Sequence, residues 1–185
     1  YLGSEFCVRR LPGERGLRAA LDIAAARGLA FSLVTPFLDE PGLAVTLALA
    51  RALPQGAATE VVANDLGLIV RLREAGWHGT IVAGRLLTRQ RRGPGFQSFD
   101  DPPPEAGAAL QGSVLDSPAF VKMLGSAFGV RRFELDDLIQ GIALPEFPAD
   151  VRISLYRPWL LVTATRNCPW VFDGRSWDRS ACARP

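Results

Sequence analysis

The sequence contains very little histidine, lysine and cysteine, and these shortages limit the chemistry that the protein can perform. His78 is the only histidine and Lys122 the only lysine among 185 residues, so a histidine-dependent triad or acid–base pair is not expected. Three cysteines are an odd number, which argues against a disulfide framework and for metal or redox use. No apolar run approaches the ~18 residues of a membrane helix, and no signal peptide is visible. We therefore expect a cytoplasmic protein without membrane contact.

Positive charge in this chain is carried almost entirely by arginine. The net charge of +2 is too small to indicate a nucleic-acid partner by itself, whereas arginine suits fixed, fork-shaped contacts with anions. Hydrophobic residues make up 48% of the chain, which is enough for one substantial core. We expect a single domain over residues 1–185.

Apolar segments alternate between strand patterns and helix patterns along the chain. The predicted strands are "YLGSEFCV", "LAFSLVTPF", "TEVVAND", "GTIVAGRLL", "VRRFELDD" and "VRISLYRPWLLVTATR". The predicted helices are "GERGLRAALDIAAARG", "PGLAVTLALARAL", "LGLIVRLREAG" and "SPAFVKMLGSAFG". Strands that alternate with helices, and that are apolar enough to be buried on both faces, indicate a parallel sheet.

Six strands predict an α/β fold with an incomplete or distorted parallel (β/α) barrel. An eight-stranded barrel usually needs ~250 residues, so pieces of the barrel are absent from this chain. An open doubly wound sheet is the alternative. Residues 88–112 are rich in proline, glycine and arginine, and we interpret them as a loop excursion or solvated linker.

Functional side chains of parallel β/α folds gather where the strands end. Cys7 lies where the first predicted strand ends in a loop, Cys168 follows the last strand, and Cys182 lies on the next loop. A closed barrel would make them neighbours. Other strand-end residues form a possible pocket, although helix capping competes with a ligand role for several of them: Thr35, Asn64, Asp65, Arg85, Asp136 and Asp137.

The thiols are compatible with three interpretations that spacing alone does not separate. Cysteine thiolates hold iron–sulfur clusters, and zinc accepts the same ligands. Alternatively, Cys7 and Cys168 are simply small buried hydrophobic residues. Four arginines in the closing segment would offset the negative charge of a cluster: Arg166, Arg175, Arg179 and Arg184.

Four motifs resemble the bacterial collagenase-like peptidase family: "YLGSEFCVRR", "VVANDLG", "GTIVAGRLL" and "RSWDRSACARP". Within that family the likeness is to the V-type accessory branch of ubiquinone biosynthesis. Other members modify tRNA uridine. The resemblance implies a barrel-like α/β fold, with its first β/α unit before Tyr1 and further elements at the C-terminal end.

The resemblance also implies a [4Fe–4S] cluster. Cys7, Cys168 and Cys182 match three of its ligands, and the fourth would follow immediately after Pro185, completing "CARPC". The implied activity is oxygen-independent hydroxylation with a homologous partner in a heterodimer. A ubiquinone precursor and an RNA base both remain open as the small-molecule or RNA substrate.

Two further functions stay open at this point. The scarcity of acid–base residues is typical of a non-catalytic binding or scaffold subunit. A zinc-binding protein or peptidase ranks third, because no hydrolytic constellation is visible and a thiolate bound to a cluster is no longer a nucleophile.

Overall fold

The computed structural model describes residues 1–91, 104–160, 168, 171–172, 174–176 and 182. The strands are β1 (Leu2–Gly3), β2 (Phe31–Val34), β3 (Thr59–Ala63), β4 (Thr80–Ala83), β5 (Arg132–Asp137) and β6 (Arg152–Leu160). The α-helices are α1 (Glu14–Ala26), α2 (Glu40–Arg51), α3 (Leu66–Glu74), α4 (Arg85–Thr88), α5 (Pro104–Gln111) and α6 (Pro118–Phe128). Short 3-10 turns cover Val8–Arg10 and Val114–Asp116.

The six strands form one parallel sheet in the sequential order β1-β2-β3-β4-β5-β6. A doubly wound sheet reverses its strand order at a switch point, and this sheet has no such reversal. The sheet curls into a half-barrel with helices between the strands. The prediction of an incomplete parallel barrel is therefore confirmed.

The main core lies between the helices and the outer face of the curled sheet. Alternate strand residues point outwards, as Leu33, Val61 and Phe133 do, and each of these has an exposed fraction of 0%. The helices cover them with residues such as Leu68 and Leu124. A smaller apolar cluster of Val34, Val62 and Val82 occupies the opposite, inner face.

Helix starts follow local capping chemistry. Asp39 accepts from Gly42 N at 2.9 Å at the start of α2, and Asp65 accepts from Leu68 N at 3.1 Å at the start of α3. Ser117 caps α6, which ends at Gly129 in the left-handed conformation (φ +66°). These caps fix where each helix leaves the sheet.

Three elements differ from the sequence prediction. β1 is only two residues long, because the backbone turns at Gly3, where φ is +118°. Gly3 also lies so close to β2 that a Cβ at this position would be 2.1 Å from Val34 O. The segment "RLL" (residues 85–87), predicted as the end of a strand, belongs to α4. Within the excursion of residues 88–112, the alanine-rich stretch 104–111 forms α5, since alanine and leucine favour helix.

Among the described residues, no helix combines the length and the apolar composition needed to cross a bilayer.

Candidate functional site

A cavity of about 380 Å³ lies at the edge of the sheet where the strands end, and all three cysteines line it. Its described lining comprises Glu5, Phe6, Cys7, Val8, Arg9, Phe37, Leu38, Asp39, Leu86, Cys168, Val171 and Cys182. The cavity volume is more than ten times the ~30 Å³ that one water molecule occupies in the liquid. The cavity therefore has room for a group much larger than a single ion.

Cys7 is positioned by the 3-10 turn that follows it. It is the N-cap residue of Val8–Arg10, and its carbonyl oxygen accepts from Arg10 N at 3.1 Å. Val8 packs directly on the first turn of α2, where a Cβ on Gly42 would lie 2.8 Å from Val8 Cγ2. This close approach holds the backbone of Cys7 at the cavity wall.

Cys168 and Cys182 reach the same cavity from the other end of the chain. Val171 N donates to Cys168 O at 3.1 Å, and the Val171 side chain is buried with an exposed fraction of 8%. All three cysteines are half-buried, and none of them forms a disulfide. Arg166, proposed from the sequence to offset cluster charge, lies outside the described residues, as do Arg179 and Arg184. Arg9 is a cation that lines the cavity, and sequence reasoning missed it.

The three thiols line one cavity, and both iron–sulfur clusters and zinc ions accept thiolate ligands. Within the described part of the chain, no three histidine, cysteine, aspartate or glutamate side chains form a group able to hold one metal ion. Thiolates around a single zinc lie close together, because each Zn–S bond is only ~2.3 Å. In a four-iron cluster each cysteine binds a different iron, so its sulfurs lie farther apart.

Arg85 connects the cavity wall to the inner face of the sheet. Its guanidinium forms ion pairs with Glu5, which lines the cavity, and with Asp136 of β5. Its Cζ also lies 3.9 Å from the ring centroid of Tyr156. Burial lowers the pKa of Arg85, but hydrogen bonds and charge from Glu5 and Asp136 outweigh it, and the net pKa is raised. The cation at the centre of this cluster is therefore permanent.

Glu134 is fully buried beside this cluster, with an exposed fraction of 0%. Its Oε1 accepts from Tyr1 OH and its Oε2 from Tyr156 OH, both at 3.0 Å. Burial raises the pKa of Glu134 despite these two hydrogen bonds. Burial and the neighbouring carboxylate also raise the pKa of Tyr1 to about 12 and raise that of Tyr156.

Five of the six residues proposed from sequence as a pocket are brought to the same edge of the sheet, where their side chains contact neighbouring strands and helices. Asn64 donates to Thr35 O at 2.8 Å and accepts from Leu86 N at 2.8 Å, and both Asn64 and Thr35 are fully buried. Asp65 caps α3 and also accepts from Leu38 N at 3.3 Å. None of Thr35, Asn64, Asp65, Arg85 and Asp136 is among the described residues of the cavity lining. Asn64, Asp65 and Arg85 instead contact residues of the lining. Their partners are Leu86, Leu38 and Glu5.

Sequence reasoning missed Glu134, although a signal was present. In "RFELDD" the acidic residues Glu134 and Asp136 alternate with the apolar residues Phe133 and Leu135. A two-residue period puts the carboxylates on one face of a strand and the core residues on the other. That pattern indicates charged side chains on the inner face of the sheet.

Comparison with protein-family models, with curated proteins and with solved structures finds no match to this chain.

Proposed function

We propose that this chain is an iron–sulfur protein in which Cys7, Cys168 and Cys182 bind a [4Fe–4S] cluster. The observation that carries the proposal is that all three thiols line one cavity, although almost the whole sequence separates Cys7 from the other two. A fourth ligand, which the family pattern puts directly after Pro185, would complete the site in a longer chain.

The role proposed for the cluster is in oxygen-independent hydroxylation, with a homologous protein as partner. Support for this role comes from the motifs that resemble the collagenase-like peptidase family. The substrate would be a ubiquinone precursor or an RNA base. When bound, a cluster of this kind supplies one-electron transfer.

The described lining carries one cation, Arg9, and two carboxylates, Glu5 and Asp39. Arg9 provides a cation on the lining itself. Glu5 would repel a thiolate cluster, but its charge is balanced by the ion pair with Arg85. Apolar residues of the lining, including Phe37, Leu38 and Val171, limit access of water.

The test is anaerobic purification of the full-length protein, followed by iron and sulfide analysis and visible absorption spectroscopy. We expect a brown protein whose absorption bleaches on reduction. Cys7→Ser, Cys168→Ser and Cys182→Ser should each lower the iron content, because each removes one thiolate. Phe6→Leu is the matched control, since it alters the cavity wall without removing sulfur.

A colourless anaerobic preparation without iron or labile sulfide would refute the cluster. Equal iron content in the three serine variants and in Phe6→Leu would show that the cysteines are not ligands of the cluster. Zinc in stoichiometric amount in the same sample would establish the zinc interpretation instead. Peptide hydrolysis by the purified protein would support the peptidase alternative.

A non-catalytic accessory subunit is the second candidate, and the carboxylates at the cavity favour it. Glu5 is committed to Arg85, and Asp39 caps α2. His78, the only histidine, is exposed in the turn between α3 and β4, at the opposite edge of the sheet. Hydroxylation by the isolated full-length protein would exclude this candidate. Activity that appears only with a co-purified partner would establish it.

A further inference from the structure

A second cavity, of about 300 Å³, lies beside α4 and is lined by two arginines. Its described lining comprises Arg89, Arg91, Ala109, Gly112, Ser113, Val114 and Asp116. Within the described part of the chain, neither guanidinium makes an ion pair or a hydrogen bond. The carboxylate of Asp116 is already engaged, because it accepts from Ser113 N at 2.9 Å. The described lining therefore carries two arginine guanidinium groups without an ion-pair or hydrogen-bond partner among the described residues, together with one carboxylate, Asp116.

The backbone that carries these arginines is held firmly. Gln90, which lies between them, is buried; its Nε2 donates to Asp136 O at 2.9 Å and its Oε1 accepts from Asp136 N at 2.6 Å. Gln140 Nε2 donates to Arg91 O at 2.8 Å. Residues 89 and 91 are thus attached to β5 through the residue between them, and both line the cavity.

Arg89 adopts a backbone conformation that arginine disfavours. It is the only non-glycine residue with positive φ in the described part of the chain, at φ +49° and ψ +51°. Glycine or asparagine would occupy this left-handed region at lower cost. A strained residue at a cavity wall points to a functional use of its side chain.

We propose that Arg89 and Arg91 form a phosphate-binding subsite that holds the phosphomonoester group of a small-molecule ligand. A phosphomonoester carries a charge of about −1.5 to −2 at neutral pH, which two guanidinium groups balance. Arginine forks bind the oxygens of phosphate in pairs, so two of them enclose one group. The Ser113 hydroxyl lies on the same lining.

The position of this subsite connects it to the cavity that contains the cysteines. Leu86 of α4 lines the cysteine cavity, and Arg89 follows α4 directly and lines the phosphate subsite. Three residues of α-helix rise by only ~4.5 Å, so the two cavities lie on neighbouring parts of the same edge of the sheet. Phosphate binding itself does not depend on the iron–sulfur proposal.

The test is calorimetric titration of the full-length protein with inorganic phosphate and with glycerol 3-phosphate, in a buffer of low ionic strength. We expect saturable binding of one phosphate group per chain. Arg89→Asn and Arg91→Gln should each weaken binding by about tenfold or more, because each removes one charge-assisted contact. Arg89→Asn should also unfold at the same or a higher temperature than the wild type, since asparagine tolerates positive φ.

The matched control is Arg15→Gln/Arg18→Gln, which removes two exposed charges from α1. Phosphate binding by this variant should stay within about twofold of the wild type, since the lost charges lie outside the subsite. Absence of saturable binding by the wild type would overturn the proposal, and so would equal weakening in the control. If a single-stranded RNA binds through these arginines while glycerol 3-phosphate does not, the subsite recognises a polynucleotide and the proposal is wrong.

Discussion

At the scale of single residues, Glu134 links the ionisation of one buried carboxyl group to the stability of the fold. Because burial raises its pKa in the folded protein, the native state holds this proton more tightly than the unfolded chain does. The stability contributed by Glu134 is therefore full below its unfolded pKa of about 4.3 and is lost as the pH rises through the folded pKa.

Glu134→Gln should remove this pH dependence. A neutral amide offers one acceptor and one donor to the two tyrosine hydroxyls and never ionises. We expect the free energy of unfolding in urea to fall as the pH rises above about 4.5 in the wild type, and to fall less in the variant. Glu74→Gln, in an exposed pair with Arg71, is the control and should behave like the wild type. An unchanged pH profile in Glu134→Gln would contradict the assignment.

Arg85→Met tests the charged cluster beside the cavity. Glu5 and Asp136 have side-chain exposed fractions of only 8% and 2%, so the loss of Arg85 leaves two buried carboxylates without their shared cation. Breaking a buried ion pair from one side costs about 3–5 kcal/mol of unfolding free energy. Arg71→Met removes an exposed pair and should cost less than about 1 kcal/mol. Similar losses in both variants, measured by chemical denaturation, would show that the cluster adds no stability.

At the scale of secondary-structure elements, the turn between α3 and β4 is constrained by one aromatic ring. A Cβ on Gly79 would lie 2.3 Å from the ring of Trp77, which is 98% buried. Gly79→Ala should therefore lower the free energy of unfolding by about 1–3 kcal/mol through overpacking. Gly16→Ala, in α1, meets no atom closer than 4.0 Å and should raise it by about 0.5–1 kcal/mol. Thermal unfolding of both variants tests these two expectations. A stability change in the same direction for both would contradict them.

Most elements were predictable from local patterns, because apolar periodicity and capping residues act over a few neighbouring positions. Asp65, a capping candidate in the sequence, caps α3 in the structure. α4 was missed because its start depends on a distant contact, in which Asn64 Oδ1 accepts from Leu86 N. A polar side chain from another strand end thus changes a predicted strand into a helix.

At the scale of the whole molecule, the curled sheet brings the two ends of the chain to one cavity. In the metal-free protein a short bis-maleimide should join Cys7 to Cys168 or Cys182, because all three are half-buried, form no disulfide and lie on the same lining. Mass spectrometry of the digested product identifies the linked peptides. Cys7→Ser is the control and should lose only the links to the N-terminal peptide. Equal yields of the Cys7 link in native buffer and in strong urea would show that the fold does not bring these ends together.

The sequence by itself determined the alternation of strands and helices, the parallel sheet and the position of thiols after the first and last strands. These features depend on residue spacing and on which side chains are apolar. Only the tertiary structure decided that Arg85 binds Glu5 and Asp136, and that Arg9 lines the cysteine cavity. The same is true of the cavity that contains Arg89 and Arg91. The reason is physical: contacts between side chains far apart in sequence depend on strand register, sheet curvature and burial, which no local pattern encodes.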